Sequence, residues 1–151
     1  MRQPTFYSAV FGIIRDPQGR ILFQKRQNTG FRDGMYQLPS GHLEGTETMK
    51  EALIRELREE LDIVVGEEDL KIVHIVHTVG SDRTYFNIYM DILKYVGTLK
   101  NLEPHKCESI DFYDLEEIQG QESFAYETET LLRIQAGESF SEKDYKILKI
   151  F

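Results

Sequence analysis

The chain carries one cysteine, no tryptophan and four prolines in 151 residues. A lone Cys107 can form no intramolecular disulfide and no Cys-based zinc cluster, which suits a reducing compartment and leads us to expect a cytoplasmic protein. No apolar run approaches the roughly 20 residues needed to cross a bilayer. The opening MRQPTFYSAVFGII is interrupted by Pro4 and Tyr7 and does not read as a signal peptide. Fixed-period repeats, Ser/Gly linkers and low-complexity tracts are also missing. Basic residues are in deficit, 18 Lys+Arg against 26 Asp+Glu, for a net charge of −8. That balance argues against a nucleic-acid or membrane-surface partner. What remains is 40% hydrophobic and 11% aromatic, a composition that folds. We therefore expect one domain over residues 1–151, removing roughly 70% of its unfolded surface from water.

Divided along the chain, the charge is uneven. Residues 1–40 carry a net of +4, residues 41–63 a net of −4, and the remainder −8. Phe6 to Ile14 is rich in β-formers and stops at the turn signal Asp16-Pro17-Gln18-Gly19; Arg20 to Arg26 resumes as its partner strand. A short extended piece is expected at Met35 to Leu38. Lys71 to Val79 and Tyr85 to Tyr95 read as strands around Gly80-Ser81-Asp82-Arg83. In the second, Phe86, Ile88, Met90 and Ile92 alternate with Asn87, Tyr89 and Asp91, the pattern of a half-buried strand. Asp111 to Tyr113 suggests a further strand, Glu122 to Ala136 a helix ending at Gly137, and Glu142 to Ile150 a last short helix. Strands and helices in mixed order indicate an α/β or α+β domain.

The clearest helix runs from Thr48 to Leu61. Thr48 with Glu51 three residues on forms a capping box, and Met49, Leu53, Leu57 and Leu61 form a core stripe. At about 100° per residue, Glu56, Glu59 and Glu60 share one sector beside that stripe. Such crowding destabilises an isolated helix by a few tenths of a kcal/mol. A mixed Glu/Arg helix is commonly just a solvated face, but a divalent cation would remove the repulsion. Hard Mg²⁺ favours carboxylate oxygens, keeps several waters and is often shared with substrate phosphates. Arg55, on the neighbouring face, can fork to a carboxylate and hold it.

Gly41, Glu47 and the run Arg55-Glu56-Leu57-Arg58-Glu59-Glu60-Leu61-Asp62-Ile63 resemble the Nudix box, G-x5-E-x7-R-E-U-x-E-E-x-G-U, where U is aliphatic. Six polar or glycine identities and both aliphatic positions agree, a coincidence expected by chance in fewer than about one chain in ten thousand of this length. The approach Tyr36-Gln37-Leu38-Pro39-Ser40-Gly41 also resembles the family's aromatic followed by L-P-G-G. Two positions depart: Ser40 replaces the first Gly of that pair, and Asp62 stands where the family has Gly. Asp62 is expected to tolerate a left-handed backbone at a small cost.

The resemblance implies an α/β/α sandwich with a mixed central sheet, hydrolysing a nucleoside diphosphate linked to a further group with Mg²⁺ or Mn²⁺. Carried over by position, Glu56, Glu59, Glu60 and the Gly41 carbonyl would hold metal. Arg55 would orient the glutamates, and Glu47 would support the loop–helix junction or a second metal. The family's general base is either a box glutamate or a later acid; Glu56 is named first here. DFYDLEEIQ resembles the family's late W-F-x-L-x-E-L-P stretch, and Glu108 is a candidate extra ligand, base or substrate contact, or a plain exposed acid. Arg26, in preference to Lys25, is a candidate phosphate contact, because neighbouring strand residues face opposite sides. Arg32 lies in the same basic segment. Tyr85, with Phe6, Tyr7, Phe86 and Tyr89, forms the pool for an aromatic wall against a base.

His74 and His77 face opposite sides of a strand and make no ready metal pair, and His42 is expected in a solvent-facing loop. Cys107 has no sequence-local partner suggesting a nucleophile. A nucleoside triphosphate, including oxidised or non-standard ones, ranks first as substrate; ADP-ribose or another nucleoside diphosphate sugar ranks second. A non-hydrolysing nucleotide sensor is the reading from another class, and the intact glutamate set argues against it. Dimers are common in the family, so a homodimer is compatible with the chain.

Overall fold

The turn at Asp16-Pro17-Gln18-Gly19 forms as expected, with the Gly19 N–H donating to the Asp16 carbonyl at 2.9 Å, yet the strands it joins part company. The structure is a computed structural model describing residue 3 and residues 5–145. Its elements are β1 (Thr5–Ile13), β2 (Ile21–Arg26), β3 (Tyr36–Gln37), β4 (Ser40–His42), α1 (Met49–Leu61), β5 (Leu70–Val79), β6 (Arg83–Ile92), β7 (Cys107–Tyr113), α2 (Leu115–Ile118), α3 (Ala125–Gln135) and β8 (Phe140–Asp144). A five-stranded sheet has the order β4-β1-β6-β5-β8, and a second sheet has the order β3-β2-β7. The larger sheet is mixed: β1 runs parallel to β6 and β5 to β8, while the β1–β4 and β5–β6 pairs are antiparallel.

Three expectations need correction. β2 is not the hairpin partner of β1; only the Arg15–Ile21 bridge joins the two segments before β2 pairs with β3 and β7. Ile21, Leu22 and Phe23 are all buried, so β2 needs cover on both faces, and one strand in a solvated hairpin cannot supply that. Leu22 enters one core cluster, Ile21 and Phe23 the other. Secondly, β6 is not half-buried. Ile88 and Met90 face the α1 side, but Tyr89 on the opposite face is also only 3% exposed. Thirdly, residues 142–144 belong to β8, which pairs with the edge of β5 and satisfies backbone groups that would otherwise be open. Tyr145 follows β8 outside any helix, and the rest of the expected final helix, residues 146–150, lies outside the described residues.

The helix carrying the acidic motif forms as its sequence directs. The Thr48 hydroxyl accepts from the Glu51 N–H at 3.1 Å, and the Glu51 carboxylate accepts from the Thr48 N–H at 3.2 Å. Leu53, Leu57 and Leu61 are fully buried, while Met49 stays 37% exposed and Ala52 takes the inward position instead. Gly12 lets α1 approach β1 closely, since a Cβ there would lie 2.9 Å from Ile92 Cδ1 and 3.4 Å from Leu53 Cδ1. On the other face of the larger sheet, α3 contributes Leu131 to a cluster with Ala9, Phe11, Ile13, Val76 and Tyr89. The two helices thus cover opposite faces of one mixed sheet, the α/β/α sandwich expected. No helix among the described residues is long and apolar enough to cross a membrane.

Asp62 ends α1 in the left-handed conformation, φ 59° and ψ 35°. The departure from glycine therefore sits where a side chain is least comfortable. Asp62→Gly is expected to stabilise the fold by about 0.5 kcal/mol, since relief of the strained backbone outweighs the added freedom of the unfolded chain. Urea unfolding midpoints of the two proteins check this.

Candidate active site

Gly41 sits in β4 opposite Val10, and the bare backbone there is packed against α1. A Cβ on Gly41 would overlap the Glu56 carboxyl group, so glycine is required for the helix carboxylate to reach this strand. Arg55 then knits loop and helix together. Its Nε donates to Glu47 Oε2 at 2.6 Å and its Nη1 to Glu56 Oε1 at 2.8 Å. Nη2 donates to Glu47 Oε1 and to the His42 carbonyl, both at 3.1 Å, and Nη1 reaches Glu59 Oε2 at 3.3 Å. The guanidinium holds the Glu47 carboxyl below its ordinary range. His42 is exposed as expected, but in a strand rather than a loop.

Glu56 and Glu60 behave differently. Burial raises the Glu56 carboxyl even though Arg55 opposes the shift. Burial again, followed by the negative charge of Glu56, pushes Glu60 well above the usual carboxylate range, and the amide of Gln24 donates to it at 3.1 Å. Two desolvated acids facing each other resist ionising together. Either a proton or a cation relieves them, and an all-oxygen donor set suits a hard divalent ion. Glu59 is more exposed and turned toward Arg55. Among the described residues no three acidic, His or Cys side chains converge into a closed metal centre. The donors present fit an ion that keeps waters and shares phosphate oxygens.

Glu60 and Gly41 border a cavity of about 680 Å³ between the two sheets. Its walls carry Phe11, Tyr85, Tyr89 and Tyr126, and its cations are Lys25, Arg26, Arg32, Lys106 and Lys143. Arg26 faces the cavity, but its guanidinium braces the 28–34 loop: it donates to the Phe31 carbonyl at 2.8 Å, Gln37 Oε1 at 2.8 Å and Thr29 Oγ1 at 3.0 Å. Lys25 pairs with Glu108 at 2.8 Å, and Glu108 is not among the cavity walls. Tyr85 does line it, stacked on Tyr7 at 5.1 Å. Phe6 and Phe86 stack on each other outside it, on the α1 side of the larger sheet.

Residues 5–133 match the model of the NUDIX domain. The chain belongs to the Nudix family. It is 43% identical over 56 residues to an ADP-ribose pyrophosphatase of Methanocaldococcus jannaschii, covering 37% of this chain and 32% of that protein. It is 37% identical over 54 residues to an 8-oxo-dGTP diphosphatase of Proteus vulgaris, covering 36% of this chain and 48% of the relative. The chain thus spans about a third to a half of the length of these curated relatives. Among solved structures, the MutT protein of Methanosarcina mazei superposes with a TM-score of 0.74 at 24% identity, over 90% of this chain and 97% of that one. That likeness is one of fold.

Several side chains at this Nudix cavity are not visible in the motif. Glu103, on the loop before β7, lines the cavity and adds its charge to the field at Glu60; it occupies the place foreseen for Glu108. Its only local signal is that it precedes Pro104. Arg32, held at φ 53°, lays its guanidinium 3.7 Å above the Tyr126 ring. Glu127 is fully buried behind Tyr126, and burial pushes its carboxyl up to about 7. The folded state therefore holds this proton more tightly than the unfolded chain, whose ordinary value is 4.5. Stability from this group is complete below about pH 4.5 and is lost as pH rises through about 7. Raising pH from 5 to 8 should lower wild-type stability relative to Glu127→Gln by about 2.5 kcal/mol. Paired urea titrations at the two pH values check this.

Proposed function

We propose that this protein is a Mg²⁺- or Mn²⁺-dependent pyrophosphohydrolase of a small nucleotide. A nucleoside triphosphate, oxidised and non-standard forms included, is the first substrate class. The observation that carries the reading is the pair of desolvated, mutually repelling carboxylates, Glu56 and Glu60, the second of which lines an aromatic-walled cavity. An acidic pair would repel a polyphosphate unless a cation lay between them. The family membership supports the same chemistry, and the two curated relatives bear the names of enzymes that act on ADP-ribose and on 8-oxo-dGTP. ADP-ribose is therefore the second substrate class.

In this mechanism Glu56, Glu59, Glu60 and the Gly41 carbonyl would hold the metal. When bound, the ion supplies charge neutralisation of the phosphates and a more acidic water. Arg55 keeps Glu56 in one orientation and ties it to the loop through Glu47, so the acid meets the reacting water without reorganising. Glu56 takes a proton from that water as its oxygen attacks phosphorus, and the pyrophosphate bond breaks with its electron pair passing to the leaving phosphate oxygen. Gln24 holds Glu60 in place by donating its amide N–H to one carboxylate oxygen. Lys106 on the cavity wall faces the phosphate chain, and Tyr85 offers its ring to the nucleoside.

Phosphate and pyrophosphate release from a nucleotide panel, run with Mg²⁺, Mn²⁺ or EDTA, tests the proposal. Turnover of at least one pyrophosphate should require metal. It should drop by about a hundredfold or more in Glu60→Gln and in Glu59→Gln, the scale on which one lost electrostatic contact to a transition state acts. Unchanged turnover in both variants sinks the metal assignment. Tight nucleotide binding without hydrolysis of any panel member identifies a sensor instead.

A further inference from the structure

The far wall of the cavity, opposite the acidic helix, carries a buried polar pair that the hydrolytic machinery does not use. Tyr89 lines the cavity, is only 3% exposed, and stacks on Phe11 with ring centroids 4.6 Å apart. Its hydroxyl donates to Glu127 Oε2 at 3.0 Å. Glu127 Oε1 is buried with no hydrogen-bond partner among the described residues; the Leu38 N–H favours the ionised form from nearby without completing that bond. Thr130, one turn further along α3, lines the cavity and lies beside the same phenol. A buried carboxylate in an otherwise apolar cluster is costly. Nothing in the packing of α3 needs one, because Leu131 already anchors the helix.

We propose that the Tyr89–Glu127 pair is the specificity-determining element of the cavity, presenting a hydrogen-bond acceptor that selects bases bearing an exocyclic amino group. The reading rests on the nucleotide substrate proposed above. An ionised carboxylate can only accept hydrogen bonds. Tyr89 must therefore point its proton at Glu127, and only lone pairs of its oxygen remain for the cavity. An amino group of cytosine or adenine satisfies such an oxygen; the carbonyl of uracil or hypoxanthine at the same place meets lone pairs with lone pairs. Glu127 acts through Tyr89 and is a positioning residue. Other groups hold its charge state. Burial opposes the anion, while the Tyr89 phenol, Lys143 from β8, the Leu38 N–H and Arg32 from the 28–34 loop favour it. With its proton lost near pH 7, Glu127 leaves Tyr89 an acceptor at pH 8. At pH 6 the protonated acid can donate to the phenol and free its hydrogen for the cavity.

Binding and turnover of matched amino and oxo pairs test this. Calorimetry of CMP against UMP and AMP against IMP, and kcat/KM for the four triphosphates with Mg²⁺, give the amino-over-oxo ratio at pH 8 and at pH 6. The wild type should favour the amino member by about tenfold in at least one pair at pH 8, the size of one unmatched buried hydrogen bond. The ratio should fall at pH 6. Tyr89→Phe should bring it within about twofold. Glu127→Gln, whose amide can donate to the phenol, should lower or invert it, and circular dichroism checks that both variants fold. Should Glu127→Gln not fold, Tyr89→Phe and the wild-type pH comparison carry the test. Equal ratios in wild type and Tyr89→Phe, or no amino preference in either pair by calorimetry, overturn the proposal. Glu60→Gln separates the two readings: if it abolishes turnover while the ratio ignores Tyr89, the base assignment fails alone. If it leaves turnover intact, the placing of Glu60 at the metal fails, and if the wild type turns over no panel member the hydrolytic reading fails, each independently of the base ratio.

Discussion

The guanidinium of Arg55 is the joint on which the acidic site depends. Loop, strand and helix meet at this one group: Glu47 from the loop before α1, the His42 carbonyl from β4, and Glu56 and Glu59 from the helix itself. Only a planar fork with five N–H donors can answer that many acceptors in fixed directions. A lysine would place a single charge among them and leave the geometry open. Without a cation at this position, three carboxylates of one helix turn and a fourth from the loop would repel, and the β4–α1 contact that needs the bare Gly41 would lose its electrostatic restraint. Arg55 thereby lets Glu56 stay partly desolvated, and desolvation is what makes Glu56 and Glu60 resist ionising together.

A second constraint comes from the sheets. β2 leaves β1 after the Asp16–Gly19 turn and joins β3 and β7, so the domain has two sheets diverging from a shared core. That divergence opens the cavity. It also carries Gln24 to Glu60 and brings the loop before β7, with Glu103 and Lys106, to the same rim. A continuous sheet containing a β1–β2 hairpin would leave no second sheet to wall that cavity. The fold thus creates the cavity by failing to pair two strands that are neighbours in sequence.

The legible parts of the sequence were those governed by local rules. The capping box, the Leu53–Leu57–Leu61 stripe and the left-handed Asp62 follow from backbone chemistry within a few residues, and the structure reproduces them. The partner of β2 was not legible, because three consecutive buried apolar residues say that both faces are covered without saying by what. The C-terminal segment misled for a related reason. Residues 142–144 have modest strand character, and the unpaired edge of β5 overrides it. Tyr89 was legible only as one of several aromatic candidates, and Glu127 not at all. Tyr89 occupies the polar phase of an alternating strand, and Glu127 sits among other acids of a polar helix. Their pairing exists only once α3 is laid across β6.

The basic N-terminal segment illustrates how placement outweighs count. Its net of +4 suggested cations waiting for phosphates, but the structure gives most of them other work. Arg26 braces a loop, Lys25 faces Glu108, and Arg32 lies on Tyr126. Lys143 is likewise answered by Glu129. Lys106 is the cavity cation whose side chain has no ion pair, hydrogen bond or ring partner among the described residues. One lysine is little against the several negative charges of a polyphosphate. In the proposed reaction the remaining neutralisation has to come from an ion at Glu56 and Glu60, so affinity for the phosphate chain and catalysis depend on the same metal. In the same reading, the aromatic wall and the Tyr89–Glu127 pair are left to distinguish one base from another.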